Sequence, residues 1–387
     1  MSQSNQLTET DAMESSGPLR KYLVANDLQL LPENEILGQS LSLNSVISIS
    51  SSFARLIQES RSHPGLRSIS EIGVGLQGAV FEQVGECYVF KNEKPGNETL
   101  PSNLRHEYQM HCAVSDAFQY YSGTTSCWVQ VPKTFELISR SKHHQFWNDI
   151  FPMIPSVYRE YGDVVKMERI LPLPKVVRRA LLDHFYGSEN QLDSTELDRA
   201  LMNPANKHCL ARVYLGRATG AIPREPVSLR NFPLYLKSMN SFVMDVEKLA
   251  NEVGKAYAIM HWAACVNSDD VEFVLGTSIA QKKGSESEPL DFQHRELGLY
   301  LLDFGQCEEV DISQEPDVVY QAFKGTMVTG DNCLFIPNYR LTPSLFAAFK
   351  SGYSEAGGII LAERKLKDSF NIEDFIREYE VYAEDFL

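Results

Sequence analysis

Several function classes are excluded by what this 387-residue chain has little of. Its seven cysteines, at positions 87, 112, 127, 209, 265, 307 and 333, are scattered, odd in number and never spaced C-x-x-C. That pattern gives neither a disulfide framework nor a zinc-finger ligand set. The nine histidines do not supply one either: the nearest grouping, His106, His111 and Cys112, lacks a second ligand pair. Free thiols in a reducing compartment are the simpler account. No apolar run approaches the roughly 20 residues needed to cross a bilayer. The opening "MSQSNQLTETDAMESSG" has no basic start followed by an apolar stretch, no Arg-rich transit character and no lipidation signal. The expectation is a cytoplasmic or nuclear protein, not secreted, with no membrane partner. Positive charge is scarce as well. Lys and Arg number 36 against 51 Asp and Glu, a formal charge of −15, which argues against a partner bound through a nucleic-acid backbone.

With 43% hydrophobic residues, the chain has the means for a large core. No internal repeat of solenoid or propeller length is present. Residues 1–66 read as an N-terminal extension, partly disordered, with short apolar runs such as "SVISIS" and a short helix in "FARLIQES". From Arg67 the pattern sharpens into a β-hairpin, with Val80 and Phe81 in one run and Tyr88, Val89 and Phe90 in the next, joined through Gly85. A helix follows in "PSNLRHEYQMHCAVSDAFQYY", capped by Ser102 or Asn103. Then come a strand in "CWVQVPKTFELI", a polar and aromatic loop through His143 and Trp147, and a strand in "DVVKMERI" stopped by "LPLP". The second half reads as mostly helical. Its best helix is "SFVMDVEKLANEVGKAYAIMHW", with Phe242, Val246, Leu249, Val253, Ala256 and Met260 at helical spacing. Two apolar runs, "VEFVLG" and "LGLYLLDFGQC", form a hairpin around a flexible polar insertion at 277–296. The last seventy residues are helical, broken at "SGYSEAGG".

Four local patterns carry chemistry, each also having a plain structural explanation. Gly73-Val74-Gly75-Leu76-Gln77-Gly78-Ala79-Val80 is a G-x-G-x-x-G-x-V between two strands, where glycines let a backbone approach a triphosphate. Its position between strands disfavours a dinucleotide site. Lys91 ends "YVFK" on the next strand, within reach of phosphates; a solvated strand-end lysine is the bland alternative. Glu107, on the helix after it, is placed to pair with Lys91, or is an ordinary exposed glutamate. Asp303, in "LLDFGQC", closes a buried strand, where a carboxylate can hold Mg2+ or merely begin a turn.

In this order the four patterns resemble the protein-kinase-like superfamily, closest to its small-molecule kinase branch, which includes the aminoglycoside phosphotransferases. "CLARVYLGR", "MHW", "DVEFVLG" and "LLDFGQC" further resemble a fungal family defined by domain of unknown function 3669. The resemblance spans about Arg67 to the C-terminus. It implies an α+β, two-lobed protein-kinase-like fold with a β-rich N-lobe (67–168) and a hinge and mainly helical C-lobe (169–387). Carried over by residue, Gly73, Gly75 and Gly78 would cover the phosphates of ATP, Lys91 would contact them, Glu107 would orient Lys91, and Asp303 would bind Mg2+. The acceptor would be a small molecule or a protein.

The catalytic loop departs from the kinase pattern and aligns in two ways. Anchored on the strand "FVLG", Glu272 takes the place of the metal-binding Asn, and Asn267 that of the catalytic Asp, leaving no general base. Anchored on Met260-His261, Asp269 becomes the catalytic residue, and Asp270 is a further carboxylate for metal or a turn cap. Asp269 is the candidate catalytic residue, with Asp303 and Glu272 as metal ligands. His261 is read as structural, and Arg212 and Arg217 as surface charges. The rival from another class is a pseudokinase that presents a surface to a protein partner.

Overall fold

A computed structural model describes residues 20–50, 69–75, 78–93, 103–139, 142–159, 162–187, 192–222, 226–280 and 292–386. The fold mixes helix and strand around two sheets. Five strands, β3 (Ile69–Val74), β4 (Gly78–Gln83), β5 (Tyr88–Glu93), β7 (Thr134–Ile138) and β8 (Val164–Glu168), form an antiparallel sheet ordered β3-β4-β5-β8-β7. The hairpin expected around Gly85 is its β4–β5 turn, and Gly85 takes φ 89° there, a conformation open to glycine. One face of this sheet carries a small core of its own, in which Ala79, Phe81 and Phe90 meet Phe146, Trp147 and Phe151. The aromatic segment around Trp147, expected as a loop, is in fact short helical turns at Phe146–Ile150 and Phe151–Met153 that roof the sheet.

The second sheet has seven strands: β1 (Lys21–Val24), β2 (Ser45–Ser50), β6 (Val129–Gln130), β9 (Ala211–Tyr214), β10 (Phe232–Tyr235), β11 (Glu272–Ile279) and β12 (Phe292–Leu302). Its centre is the β11–β12 hairpin expected from the two apolar runs, in register from Glu272↔Leu302 to Ile279↔Arg295. Ladder pairing thus takes in Thr277–Ile279 and Phe292–Glu296, both ends of the expected insertion; 281–291 lie outside the described residues. Two corrections follow. Residues 20–50 are no appendage, because "SVISIS" pairs with β12 through Phe292↔Ser50 to Glu296↔Val46, and β1 adds to its far side. The "FARLIQES" helix lies outside the described residues. The second half, expected to be mostly helical around that one hairpin, also holds two further short strands, β9 and β10.

The larger core lies between this sheet and the helices. Helix Val246–Ala258, with Leu249, Ala250, Val253, Ala256 and Tyr257 buried, is central, as its spacing indicates. It continues as a π turn, Ile259–Ala264, and stops at Cys265 with φ 57°. Helix Pro343–Glu363 runs unbroken through "SGYSEAGG". The glycines there serve packing: a Cβ on Gly352 would lie 2.1 Å from the Asn251 carbonyl oxygen, and one on Gly254 would lie 2.1 Å from that of Phe349. The two helices cross where neither can carry a side chain, an advantage that outweighs glycine's intrinsic helix cost. Among the described residues, no helix is long and apolar enough to cross a membrane.

Candidate functional site

The glycine turn joins β3 to β4, and the Gly75 amide donates to the Gly78 carbonyl at 2.9 Å. Leu76 and Gln77, at its tip, lie outside the described residues. The three glycines differ in what requires them. A Cβ on Gly78 would stand 2.4 Å from the Asn92 carbonyl oxygen on β5, so the sheet itself demands glycine there. Among the described residues, a Cβ on Gly73 or Gly75 would meet nothing nearer than 3.9 and 4.0 Å respectively. These described neighbours leave room for a side chain at both.

Lys91 sits on β5, the central strand of the small sheet, and is buried. Its Nζ lies 2.5 Å from Glu107 Oε1, and the two side chains are 10% and 8% exposed. Glu107 occupies the first turn of helix Leu104–Tyr121, whose N-cap, Asn103, accepts from the His106 amide at 3.2 Å. The salt bridge expected between Lys91 and Glu107 is therefore present, while the second carboxylate oxygen of Glu107 is buried with no hydrogen-bond partner among the described residues. Burial pulls the Lys91 ammonium down, but the Glu107, Asp303 and Glu272 carboxylates outweigh it and hold the lysine above its ordinary value. The same helix is tied to the Asp303 segment. His106 Nε2 donates to the Cys307 carbonyl at 2.7 Å, and the His111 ring lies 4.8 Å from that of Phe304. These histidines are structural, and His111, pushed down to about 4 mainly by burial, stays neutral near pH 7.

Asp303 follows β12 with φ 65°, a left-handed conformation that costs a non-glycine residue roughly 1–2 kcal/mol. Phe304, the next residue, is fully buried, which fixes the corner and turns Asp303 toward Lys91 and Glu107, on both of which its charge acts.

The segment Val266–Val271 supplies the other carboxylates, and it too is strained, with Ser268 at φ 60° and Asp270 at φ 56°. His261 anchors it from below. This buried ring bonds to the Tyr353 hydroxyl and to Ser268 Oγ, both at 2.9 Å, and stacks on Phe323. Burial pushes it down to about 3, so it is a neutral structural residue, as expected. The Asn267 side chain is spent within the loop, accepting from the amides of Asp269 at 3.3 Å and Glu308 at 2.9 Å. Asp269 accepts from the Thr329 hydroxyl at 3.5 Å, and burial together with Asp270 holds its carboxyl above the usual range. Asp270 accepts from Gln306 Nε2 at 2.6 Å and from the Asp331 amide at 3.2 Å, and is raised by burial with Asp331 and Asp303 adding. Of the two aspartates, it is Asp270 that feels Asp303.

Glu272 opens β11 in a close ion pair with Arg212 of β9. Burial, with Asp303, Asp331 and Asp270 adding, pushes its carboxyl up to about 7 despite the arginine. Arg212 also reaches the Tyr214 hydroxyl at 3.2 Å and Asp331 at 3.6 Å. The expectation of a surface charge holds for Arg217, which is exposed, and fails for Arg212. No sequence signal marked Arg212 or Asp331: alternation sets Arg212 on the face of β9 opposite Ala211 and Val213.

Lys91, Glu107, Asp303, Glu272 and Asp270 thus form one electrostatic cluster, with Asp269 at its edge. Among the described residues no three His, Cys, Asp or Glu side chains are grouped to hold a metal ion by themselves. The donors available fit a cation arriving with phosphate oxygens, because Mg2+ commonly takes only one or two protein carboxylates. Asp303 suits that role; Glu272 is committed to Arg212. No protein-family model and no curated protein matches the chain.

Proposed function

We propose that this is a kinase-like protein that binds ATP with Mg2+ in a cleft between two lobes, the small sheet forming one lobe and the larger core the other. The observation that carries the reading is the buried Lys91–Glu107 pair beside Asp303. A lysine on the third strand paired to a glutamate of the following helix, with an aspartate after a later buried strand, is the arrangement by which kinases position a triphosphate. Three features add support. Among the described residues nothing packs closely enough on Gly73 or Gly75 to require glycine, whereas a phosphate chain lying against that backbone supplies a reason. The ammonium of Lys91 has one close carboxylate and keeps donors for phosphate oxygens. The carboxylates around Asp303 outnumber the nearby cations, Lys91 and Arg212, and a bound divalent cation would neutralise that excess and screen the nucleotide phosphates. The proposed location is intracellular.

For transfer to a hydroxyl or amine of a small molecule or protein, the base is Asp269. Its long contact to Thr329 leaves it able to accept a proton, and its raised pKa brings it closer to working pH. A second reading, a pseudokinase acting through protein contacts, is favoured by Asn267 and Asp270 being held in loop hydrogen bonds and by Glu272 being held in its ion pair.

The test is thermal unfolding with ATP, Mg2+ and both, on the native chain and on Gly75→Ala and Asp303→Asn. Nucleotide at a hundred times its dissociation constant adds about 2.7 kcal/mol to the native state. A magnesium-dependent rise lost in Asp303→Asn and reduced in Gly75→Ala, whose unliganded melting point stays unchanged, is the expected result. No rise at millimolar MgATP overturns nucleotide binding. Turnover of ATP abolished by Asp269→Asn would select transfer over the pseudokinase reading.

A further inference from the structure

The acidity of the chain conceals a concentrated basic pocket. Beneath residues 169–174, the connection between the two sheets, lies a cavity of about 480 Å3. Arg169, Lys175, Arg178, Lys207 and Arg295 line it, together with His208. The carboxylate lining it, Glu82, is taken up by a close ion pair with Arg169 and lies 3.9 Å from His208. In a chain of formal charge −15, such a grouping is the reverse of the average surface.

Among the described residues, two of the arginines are held only by neutral groups. Arg295 is buried, and its three nitrogens donate to Thr277 Oγ1 at 3.0 Å, Gln293 Oε1 at 3.4 Å and the Pro172 carbonyl at 3.1 Å. Arg178 donates to the Leu173 carbonyl at 3.1 Å and the Asn206 carbonyl at 3.0 Å. Neither has a carboxylate partner among the described residues. These bonds fix the orientation of the guanidinium planes but leave the charge uncompensated, which is costly inside a protein. The mutual repulsion is felt: burial, with Arg169 and Arg178 adding, pushes Arg295 down to about 10. Helix Lys175–Tyr186 also starts at the wall of the cavity, and its N-cap, Pro174, offers no side chain to the first amides, so the positive end of the helix adds to the field. Leu171, Leu173 and Leu201 supply an apolar wall.

We propose that this cavity binds a small organic polyanion, a compact molecule carrying clustered phosphate or carboxylate groups, seated against Arg178 and Arg295 with Lys175 and Lys207 closing on it. Oriented guanidiniums match such oxygens in pairs, and exposed lysines add a flexible second layer. The apolar wall accepts a carbon framework. The site stands apart from the nucleotide proposal, since none of its lining residues belongs to the Lys91–Asp303 cluster.

The experiment is calorimetric titration of the full chain at low salt with pyrophosphate and, separately, with citrate, without Mg2+. The variants are Lys175→Ala/Lys207→Ala, which alters two exposed side chains and leaves the fold intact, Arg178→Gln, and, as a control, Lys367→Ala, an exposed lysine outside the cavity. Binding is expected to weaken at least about tenfold in the lysine pair and in Arg178→Gln, as charged hydrogen bonds are lost, and to be unchanged in Lys367→Ala. Preference for pyrophosphate assigns phosphate esters, and preference for citrate assigns polycarboxylates. Absence of binding to either at millimolar concentration, or equal affinity in native chain and lysine pair, overturns the proposal. The MgATP-dependent melting shift should survive in the lysine pair, so failure of one proposal leaves the other standing.

Discussion

Replacing Lys91 with methionine keeps most of the buried volume and removes only the charge facing Glu107. At 2.5 Å, two unit charges attract by about 7 kcal/mol at an effective dielectric of 20. Much of this offsets the desolvation of both groups, so the net loss on breaking a buried pair is about 3–5 kcal/mol. In the variant, Glu107 keeps its burial and the repulsion from Asp303, both of which raise its pKa, and loses the lysine that opposed them. A carboxyl whose folded pKa is raised stabilises the native state while protonated and loses that contribution as pH rises through the folded value. Lys91→Met should therefore be much less stable than the native chain near pH 8 and recover part of the difference near pH 5. With a urea dependence of about 3 kcal/mol per molar, a loss of about 4 kcal/mol moves the unfolding midpoint down by about 1.3 M. Lys91→Met/Glu107→Leu, which leaves no orphan charge, should regain most of it. Urea titrations at the two pH values decide the matter. A midpoint unchanged in Lys91→Met, or a double variant as unstable as the single one, would refute a buried, mutually neutralising pair.

Two further substitutions test the packing and the acidic cluster. Gly352→Ala, which pushes a methyl within 2.1 Å of the Asn251 carbonyl oxygen, should cost about 1–3 kcal/mol or more. Gly358→Ala in the same helix, with nothing within 4 Å, should stabilise by about 0.5–1 kcal/mol, and thermal melts of the pair compare the two directly. Glu272, raised from 4.5 to about 7, should make the protein less stable as pH rises from about 4.5 to 7, by on the order of 3 kcal/mol. Glu272→Gln should flatten that part of the stability–pH profile; an unchanged slope would place the titration elsewhere.

Strand and helix were legible wherever one period dominated. The β4–β5 hairpin, the β11–β12 hairpin and the helix from Val246 are found where apolar runs or helical spacing put them, because each is largely buried along its length. The errors came from residues whose partners are distant in sequence. "SVISIS" is short and flanked by polar residues, so nothing local shows that it completes the ladder of β12 some 250 residues later. "SGYSEAGG" reads as a helix breaker because glycine costs about 1 kcal/mol in a helix interior. What offsets that cost is the contact of Gly352 with the backbone at Asn251, a tertiary fact.

At the candidate site the same distinction separates what could be read from what could not. Lys91 and Glu107 lie where the sequence puts them because each sits at a fixed position on a regular element, and regular elements carry side chains in predictable directions; Asp303 stands one residue past β12, at a left-handed corner. The segment Val266–Val271 is not regular. Its direction is set by left-handed residues at Ser268 and Asp270 and by His261, which holds Ser268 from the core. No spacing rule distinguishes Asp269 from Asp270 under those conditions, and the two alignments of the loop reflect that. Arg212 marks the middle case. Its place in an apolar run was visible, but a half-buried cation there becomes intelligible only once the carboxylates of Glu272 and Asp331 stand beside it. Two of the loop's polar groups, Asn267 and Asp270, and Glu272 just after it are thus held by the fold itself. Asp269 is held more loosely than these, by a long bond from the Thr329 hydroxyl at 3.5 Å, which is why the proposed transfer is tested at that residue.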